Sequence, residues 1–249
     1  MIILKSLQEI EKIRKACLIV ADVLEAMRGL VRPGVTTQAL DEFAERFIVA
    51  AGATPAFKGY RGYPKTLCTS VNNEVIHGIP SKGTVLKQGD IISIDVGTIV
   101  DGFYGDAAIT VPVGTITPEA ERLLSVTEES LLRGIAQAQA GNRLYDISHA
   151  VQKHVESNGY SVVREFVGHG IGRSLHEDPQ LPNFGDPGQG PKLKPGMVLA
   201  LEPMVNVGGY ATVTLEDNWT AVTADGSLSA HFEHTIAVMS DGPWILTKK

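Results

Sequence analysis

Two stretches of the chain carry apolar residues at helical spacing and match each other in length. PGVTTQALDEFAERFIVAAG (33–52) and AGNRLYDISHAVQKHVESNG (140–159) share apolar positions at i, i+3, i+4, i+7 and i+8, broken only at His154. Such a stripe is typical of an amphipathic helix that packs one face on a core. Each stretch ends in glycine, Gly52 or Gly159, as helix C-termini often do. The pattern predicts two equivalent helices, with His154 packed in the core.

A further helix is predicted ahead of each of these two. Ser6 and Glu9 have the spacing of a capping box, and a helical stripe of apolar residues follows them: Ile10, Ile13, Cys17, Val20 and Leu24. Thr117-Pro118 puts proline at the first position of the second such helix. A backbone N–H at this position has no acceptor within the helix, so proline costs the helix no hydrogen bond there.

Two apolar strands are also repeated. LKQGDIISIDV (86–96) and LKPGMVLALEP (193–203) both open Leu-Lys-x-Gly and place one acid at the same step, Asp95 or Glu202. The strands and the matching helices share one offset of 107 positions, since 193 − 86 and 140 − 33 are equal. A charge beside buried apolar sequence is unfavourable unless a partner compensates it. The repeated acid is therefore a candidate site residue in each copy.

The shared offset predicts an α+β fold with pseudo-twofold halves. Each half reads helix, helix, then strands, over roughly 1–113 and 117–249. Strands of both halves are expected to meet in one sheet that helices cover. We expect a single domain over 1–249.

A β-hairpin is predicted around Asp101-Gly102, because this dipeptide lies between apolar flanks and favours a two-residue turn. With that turn, Asp95 pairs with Ala108, and Asp106 lies two positions along on the same face. Such diagonal neighbours are roughly 7–8 Å apart at the backbone. Two carboxylates at that distance suit one shared cation or an ion pair.

The second half adds further candidates. Glu233 leads into an apolar strand, and a glycine-rich turn after a predicted strand Val162–Val167 carries His169 and His176. His77 lies in a Gly/Pro-bounded segment of the first half. For His231 and His234, which flank Glu233, ordinary packing is the favoured interpretation.

Two familiar motifs are excluded in this region. HGIG lacks the Gly-Lys-Ser/Thr ending of a phosphate-binding loop and does not open a helix. HEDPQ is no zinc-protease helix, because Gln180 replaces the second histidine and Pro179 would break the helix.

Composition narrows the class of protein. The net charge of −6 and the scattered Lys and Arg residues do not indicate a nucleic-acid surface. Two cysteines make no disulfide framework, and we expect a reduced cytoplasmic setting. The chain has neither a signal-peptide pattern nor an apolar run of the ~20 residues that a membrane span needs.

Four acids with one or two imidazoles form a hard, oxygen-rich and negatively charged set, unlike the ligands of a structural zinc site. Like charges at such density need cations. Four acids exceed the need of one small ion, so the sequence predicts two divalent ions that share carboxylates, as in two-metal hydrolases that activate a water.

Six segments together resemble the type I methionine aminopeptidases, which have the pita-bread fold. They are CTSVNNEVIHGIP, GDIISIDVG, GFYGDAA, EFVGHGIGRSLHEDP, KPGMVLALEPM and HFEHTIAV, and the resemblance covers essentially the whole chain. It implies one curved antiparallel sheet under helices and hydrolytic removal of the initiator methionine from nascent polypeptides when the second residue is small. Some of these segments also occur in X-Pro peptidases, which remain an alternative activity. A non-catalytic peptide-binding module is a second alternative.

The resemblance also implies the roles of individual residues. Five would be metal ligands, with Glu202 also the proton carrier for the attacking water: Asp95, Asp106, His169, Glu202 and Glu233. His77 and His176 would contact the amide and the scissile carbonyl of the substrate. The methionine pocket would consist of Phe57, Tyr60, Tyr63, Cys68, Leu175 and Trp219. Some family members have cysteine at the position of Phe57 and phenylalanine at that of Leu175, which affects the width of the pocket.

The family further implies cofactors and partners. Two ions of Co, Mn, Fe or Zn are expected, and a monovalent cation near Asn72 and Ser229. The expected molecule is a monomer of the short bacterial style, acting on nascent chains and contacting the ribosome.

Overall fold

Four α-helices flank the sheets, and the computed structural model describes all residues from 1 to 249. The helices are α1 (Leu7–Leu30), α2 (Thr37–Ala50), α3 (Pro118–Ala136) and α4 (Leu144–Ser157), with a 3-10 turn at Tyr60–Gly62. The predicted capping box of α1 is present: Glu9 N donates to Ser6 Oγ at 3.3 Å, and Ser6 N donates to Glu9 Oε2 at 3.1 Å. All four predicted helices are confirmed. None of them is long and apolar enough to cross a membrane.

Fifteen strands accompany the helices. In the first half they are β1 (Thr54–Pro55), β2 (Leu67–Val71), β3 (Glu74–Ile76), β4 (Ile91–Val100) and β5 (Phe103–Pro112). In the second half they are β6 (Ser161–Val162), β7 (Gly168–Gly170), β8 (Glu177–Leu181), β9 (Val198–Leu201), β10 (Met204–Asn206), β11 (Thr212–Thr214), β12 (Ala221–Thr223), β13 (Ser229–His231), β14 (His234–Met239) and β15 (Gly242–Ile245). The predicted strand Val162–Val167 is wrong, because β6 ends at Val162, one more backbone bond follows from Val163 N to Met204 O, and the next strand begins only at Gly168.

The strands pair antiparallel throughout. The two larger sheets are β1-β4-β2 with β5 on β4, and β15-β14-β9-β7-β8. The two smaller ones are β13-β10-β6 and β11-β12-β3, and the second of these joins β3 of the first half to β12 of the second. The predicted α+β fold with antiparallel strands is confirmed, although its backbone pairing is divided among four sheets.

Two threonines explain the division where the halves meet. Thr235 Oγ1 donates to Asp106 O at 2.7 Å and accepts from Asp106 N at 3.3 Å. Thr110 Oγ1 donates to His231 O at 2.8 Å and accepts from His231 N at 2.9 Å. These hydroxyls stand in for backbone-to-backbone bonds at both ends of the contact between β5 and the segment 231–235, and one backbone bond, from Glu233 N to Ala108 O, lies between them. We call this line of contact the threonine seam.

The largest apolar cluster crosses the seam. It contains Val20 and Ile94 from the first half with Leu199 and Ile236 from the second, all fully buried. α1 packs on β4 and β5, while α3 packs on α4. One core under both halves supports the prediction of a single domain, which stays a prediction.

Candidate metal centre and substrate cavity

The β4–β5 hairpin supplies the first two acids. Asp101 and Gly102 form its turn with positive φ angles of 50° and 75°. Asp95 pairs with Ala108, and Asp106 pairs with Gly97, in the register that the sequence predicts. The Asp106 side chain is therefore on the same face as that of Asp95, and its residue is only 4% exposed.

The threonine seam brings Glu233 to Asp106. Just before β14, Glu233 N donates to Ala108 O at 2.9 Å, directly across from the hairpin. Thr235 holds the backbone of Asp106, as described above. The carboxylates of the two residues consequently face one another from different halves of the chain.

His169 and Glu202 complete the cluster from the five-stranded sheet. His169 in β7 pairs with Ala200 in β9, and Glu202 follows the end of β9. One ligand atom each of Asp106, His169 and Glu233 lies within 4.8 Å of the other two. Glu202 Oε1 lies 3.5 Å from His169 Nε2.

The tautomer of His169 suits a ligand. Its Nδ1 lies 2.9 Å from Gly170 O, and because a carbonyl only accepts, Nδ1 carries the proton. Burial lowers the pKa of His169 to about 3, so the ring is neutral. Nε2 therefore keeps a free lone pair beside the carboxylates, and the Gly170 carbonyl fixes the ring orientation as outer contacts of metal ligands do.

The carboxylates cannot all ionise on their own. Burial raises the pKa of Asp95 to about 7. Burial and then the neighbouring carboxylates raise the pKa of Asp106, Glu202 and Glu233 well above the usual range. Oxygens of Asp95, Asp106 and Glu233 are buried without any hydrogen-bond partner. A bound divalent cation would satisfy these oxygens and favour ionisation, so the residues present fit such an ion.

Two further imidazoles stand beside the cluster. The ring centroid of His176 lies 4.2 Å from that of His169, and His176 Nδ1 is 2.8 Å from the hydroxyl of Tyr60. The ring of His77 meets Trp219 edge-on at 6.1 Å. Burial lowers the pKa of His77 to about 4, which keeps it neutral at pH 7.

The cluster forms one end of an open cavity of about 160 Å³. All thirteen residues predicted for the site line it: Phe57, Tyr60, Tyr63, Cys68, His77, Asp95, Asp106, His169, Leu175, His176, Glu202, Trp219 and Glu233. At the apolar end, Phe57, Leu175 and Cys68 are buried, and burial raises the pKa of the Cys68 thiol, which stays protonated. The structure thus brings together the acids, the two histidines and the apolar pocket.

Two residues of the site were not anticipated. Arg61 also lines the cavity, with a positive φ of 48° that nothing in the sequence indicates. His231 is buried, and its Nε2 has no hydrogen-bond partner and lies 3.9 Å from Glu202 Oε2. The sequence favours ordinary packing for His231, but residues two apart on an extended segment share a face. Its spacing from Glu233 could have indicated its place.

The region predicted for a monovalent cation is closely bonded. Ser229 N donates to Asn72 O at 2.9 Å, and Ile91 N donates to Asn72 Oδ1 at 3.0 Å. Asn72 has a positive φ of 56°. The two predicted residues are therefore neighbours in space.

Comparisons with known proteins agree with this architecture. Residues 11–240 match the profile of metallopeptidase family M24. The methionine aminopeptidase of Clostridium perfringens is 58% identical over 247 residues, which cover 99% of each chain. Methionine aminopeptidase 1 of Bacillus subtilis is 54% identical, with all of both chains covered. The crystal structure of the Thermotoga maritima methionine aminopeptidase superposes with a TM-score of 0.99 at 49% identity, again over all of both chains.

The pita-bread fold is thereby confirmed over the full length of the chain. The two relatives are 54% and 58% identical to this chain over 99% or more of each sequence, so the similarity extends along essentially its whole length. This chain belongs to metallopeptidase family M24 and, within it, to the methionine aminopeptidases.

Proposed function

We propose that this hydrolase removes the N-terminal methionine from nascent polypeptides whose second residue is small. The observation that carries the proposal is the single cavity in which the acid–histidine cluster adjoins an apolar pocket. The full-length similarity to methionine aminopeptidases supports the same activity. The whole chain would act as one peptidase domain.

Five residues would hold two divalent ions: Asp95, Asp106, His169, Glu202 and Glu233. Asp106 and Glu233, which face each other across the threonine seam, would be the shared ligands. The ions, when bound, would supply Lewis acidity for the scissile carbonyl and make a water acidic enough to attack near neutral pH. Carboxylate and imidazole donors accept Co, Mn, Fe or Zn, so availability in the cell would select the metal.

Glu202 would carry the proton from the attacking water to the leaving amine. Its position supports this role, because its carboxylate lines the cavity with one imidazole 3.5 Å and another 3.9 Å away. A base in this reaction must exchange a proton readily near neutral pH. In the metal-free cluster, burial and the neighbouring carboxylates raise the pKa of Glu202. These surroundings would therefore set how readily Glu202 takes up and releases a proton.

His77 and His176 would bind the peptide rather than a metal. Burial lowers the pKa of both rings, so they are neutral hydrogen-bonding groups at the cavity wall. Neutral donors placed beside the scissile carbonyl would stabilise the negative charge that develops on its oxygen. The hydroxyl of Tyr60 on His176 Nδ1 would fix which ring nitrogen faces the substrate.

The methionine side chain would occupy the apolar end of the cavity. Aromatic rings and a neutral thiol offer polarizable contacts to a thioether: Phe57, Tyr60, Tyr63, Cys68, Leu175 and Trp219. Bulk beyond the scissile bond would clash with the wall, which would restrict the second residue to small types. The enzyme would act as a cytoplasmic monomer near the ribosome, with a monovalent cation near Asn72 and Ser229.

Hydrolysis of tripeptides tests the proposal. Protein stripped by a chelator and reloaded with Mn or Co should cleave Met-Ala-Ser, cleave Met-Leu-Ser far more slowly and leave Ala-Pro peptides intact. The stripped protein should be inactive. The same specificity predicts that intact mass finds Met1 retained, because Ile2 is bulky.

Other outcomes would identify the rivals. Faster cleavage of Ala-Pro than of Met-Ala-Ser would indicate an X-Pro peptidase. Binding of Met-Ala-Ser to the loaded protein without turnover would indicate a peptide-binding module.

A further inference from the structure

We infer that Lys5 is a positioning residue for the reaction, acting through Glu177 on the loop that presents His176. The inference rests on the proposed function, in which His176 binds the substrate. It concerns a residue outside the cavity, because Lys5 is not among the side chains that line it.

The ion pair of Lys5 and Glu177 is buried. Lys5 Nζ lies 2.5 Å from Glu177 Oε2, and the two side chains are only 3% and 11% exposed. The ammonium has one other acceptor within reach, the carbonyl of Ile3 at 3.5 Å. Burying an ammonium is unfavourable, and this carboxylate is the one charge that compensates it.

The same carboxylate closes the loop in front of His176. Glu177 Oε1 accepts from Arg173 N at 2.8 Å and from Ser174 N at 3.2 Å. One oxygen of Glu177 thus ties residues 173–177 into a ring, while the other is bound to Lys5. His176 lies within this ring, directly before Glu177.

Lys5 anchors the ring to the rest of the protein. Lys5 N donates to Gly196 O at 2.7 Å, which fixes the backbone of the N-terminal segment just before β9. A Cβ added at Gly172 would collide with the Lys5 side chain, so the aliphatic stem packs directly on the loop. On the other side, Glu177 pairs with Gly170, next to His169.

His176 is consequently held from two directions. Tyr60 bonds its ring at 2.8 Å, and the Lys5–Glu177 pair fixes its backbone relative to the metal cluster. A displacement of about 1 Å at a group that contacts the reacting atoms can lower turnover by about 100-fold. Loss of the Lys5 ammonium would free the loop to make such a displacement.

The test compares the metal-loaded, full-length protein with its Lys5→Met variant, which keeps a stem of similar length without the charge. We expect kcat for Met-Ala-Ser to fall about tenfold to a hundredfold, with KM changed by less than about threefold, since the pocket for the methionine side chain is untouched. The control is Lys58→Met, which breaks an exposed pair to Glu45 whose side chains are 50% and 37% exposed. It should keep wild-type kcat.

A double-variant cycle separates positioning from general stability. If Lys5 acts through His176, adding Lys5→Met to His176→Ala should lower kcat by less than about twofold, since coupled residues are not additive. Circular dichroism and metal content measure folding independently. Should Lys5→Met unfold, the double variant Lys5→Met/Glu177→Gln takes its place, because it leaves no buried charge unpaired. It is then combined with His176→Ala in the same cycle.

Two results would overturn the inference: wild-type kcat in the folded Lys5→Met variant, or an equal loss with and without His176. A wild-type protein that fails to cleave Met-Ala-Ser would instead reject the proposed function.

Discussion

Three buried carboxylate oxygens, one each on Asp95, Asp106 and Glu233, have no hydrogen-bond partner within the protein. A buried acceptor left without a partner costs about 1–3 kcal/mol, and more when it is charged. Three such groups side by side are therefore better explained as ligand atoms than as errors of packing. Their chemistry can be tested one residue at a time.

Asp106→Asn should abolish tight metal binding. It replaces one carboxylate oxygen of a proposed shared ligand by an amide, and even outer contacts of metal ligands change affinity or activity by roughly 10- to 100-fold. We expect the rate of Met-Ala-Ser hydrolysis to fall at least about 100-fold. Mass spectrometry should show less metal bound per chain than in the wild type. Asp101→Asn is the matched control, because Asp101 is an exposed turn residue of the same hairpin and asparagine tolerates its positive φ. Equal metal content in both variants would contradict the ligand role of Asp106.

Tyr60→Phe should lower turnover without destabilising the fold. It removes the hydroxyl 2.8 Å from His176 Nδ1 and keeps the ring. A hydrogen bond of about 1 kcal/mol corresponds to a fall in kcat of about fivefold. Tyr210→Phe, at a residue 47% exposed, serves as the control in the same assay. An unchanged kcat in Tyr60→Phe would show that His176 needs no help from this hydroxyl.

At the scale of elements, the backbone of α1 lies directly against β5 because position 105 has no side chain. A Cβ at Gly105 would come 2.5 Å from the backbone N of Cys17 and 2.8 Å from Ala16 C. Thr98 Oγ1 adds a bond of 3.0 Å to the carbonyl of Ala16. The hairpin that carries both aspartates is therefore clamped to the first helix.

Gly105→Ala should destabilise the protein by about 1–3 kcal/mol, the usual range for overpacking, because backbone cannot move aside as a side chain can. Gly29→Ala is the opposite case on the same helix, with nothing within 4 Å of an added Cβ. It should stabilise by up to about 1 kcal/mol through helix propensity. Urea unfolding of both variants measures the difference, and a Gly105→Ala midpoint at or above wild type would mean that α1 is free to shift.

Sequence patterns a few residues long predicted those helix ends and turns that neighbouring residues determine. The capping box of Ser6 and the turn at Asp101-Gly102 lie within a few residues of what they determine, and both were found as expected. The strand over 162–167 was not, since apolar content alone does not say where pairing stops. The threonine seam depends on contacts between Thr110 and His231, 121 positions apart, which no local pattern encodes.

For the whole molecule, the repeat offset and the family resemblance predicted which residues share the cavity. Asp95 and Glu202, for example, occupy equivalent positions in the two copies of a repeated strand. Arg61 and His231 were missed for different reasons. Arg61 owes its place to an irregular backbone conformation, and His231 is recognised only from the face that it shares with Glu233, two positions along the chain.

The dependence of stability on pH should differ between metal-free and metal-loaded protein. A carboxyl whose pKa is higher folded than unfolded binds protons on folding, so its contribution is present at low pH and is lost as pH rises through the folded pKa. For Asp95 that window extends from its usual 3.8 to about 7, and the other three acids shift in the same direction. Bound cations reverse the effect, because ligands bind metal in their ionised form.

Thermal unfolding at pH 5, 6, 7 and 8, with chelator or with Mn, provides the measurement. We expect the gap in Tm between loaded and metal-free protein to widen steadily with pH. The Asp106→Asn variant should show a smaller gap at every pH. A constant gap in the wild type would mean that the cluster does not ionise on binding metal.

The division of the cluster between distant parts of the chain has a consequence for synthesis. Asp95 and Asp106 leave the ribosome early, His169 and Glu202 follow, and Glu233 comes only shortly before the last strands. An unfinished copy that ends before the segment 231–235 has no partner for Asp106 at the threonine seam and cannot assemble the proposed ligand set. Newly made enzyme would therefore begin to trim other polypeptides only once its own translation is nearly complete.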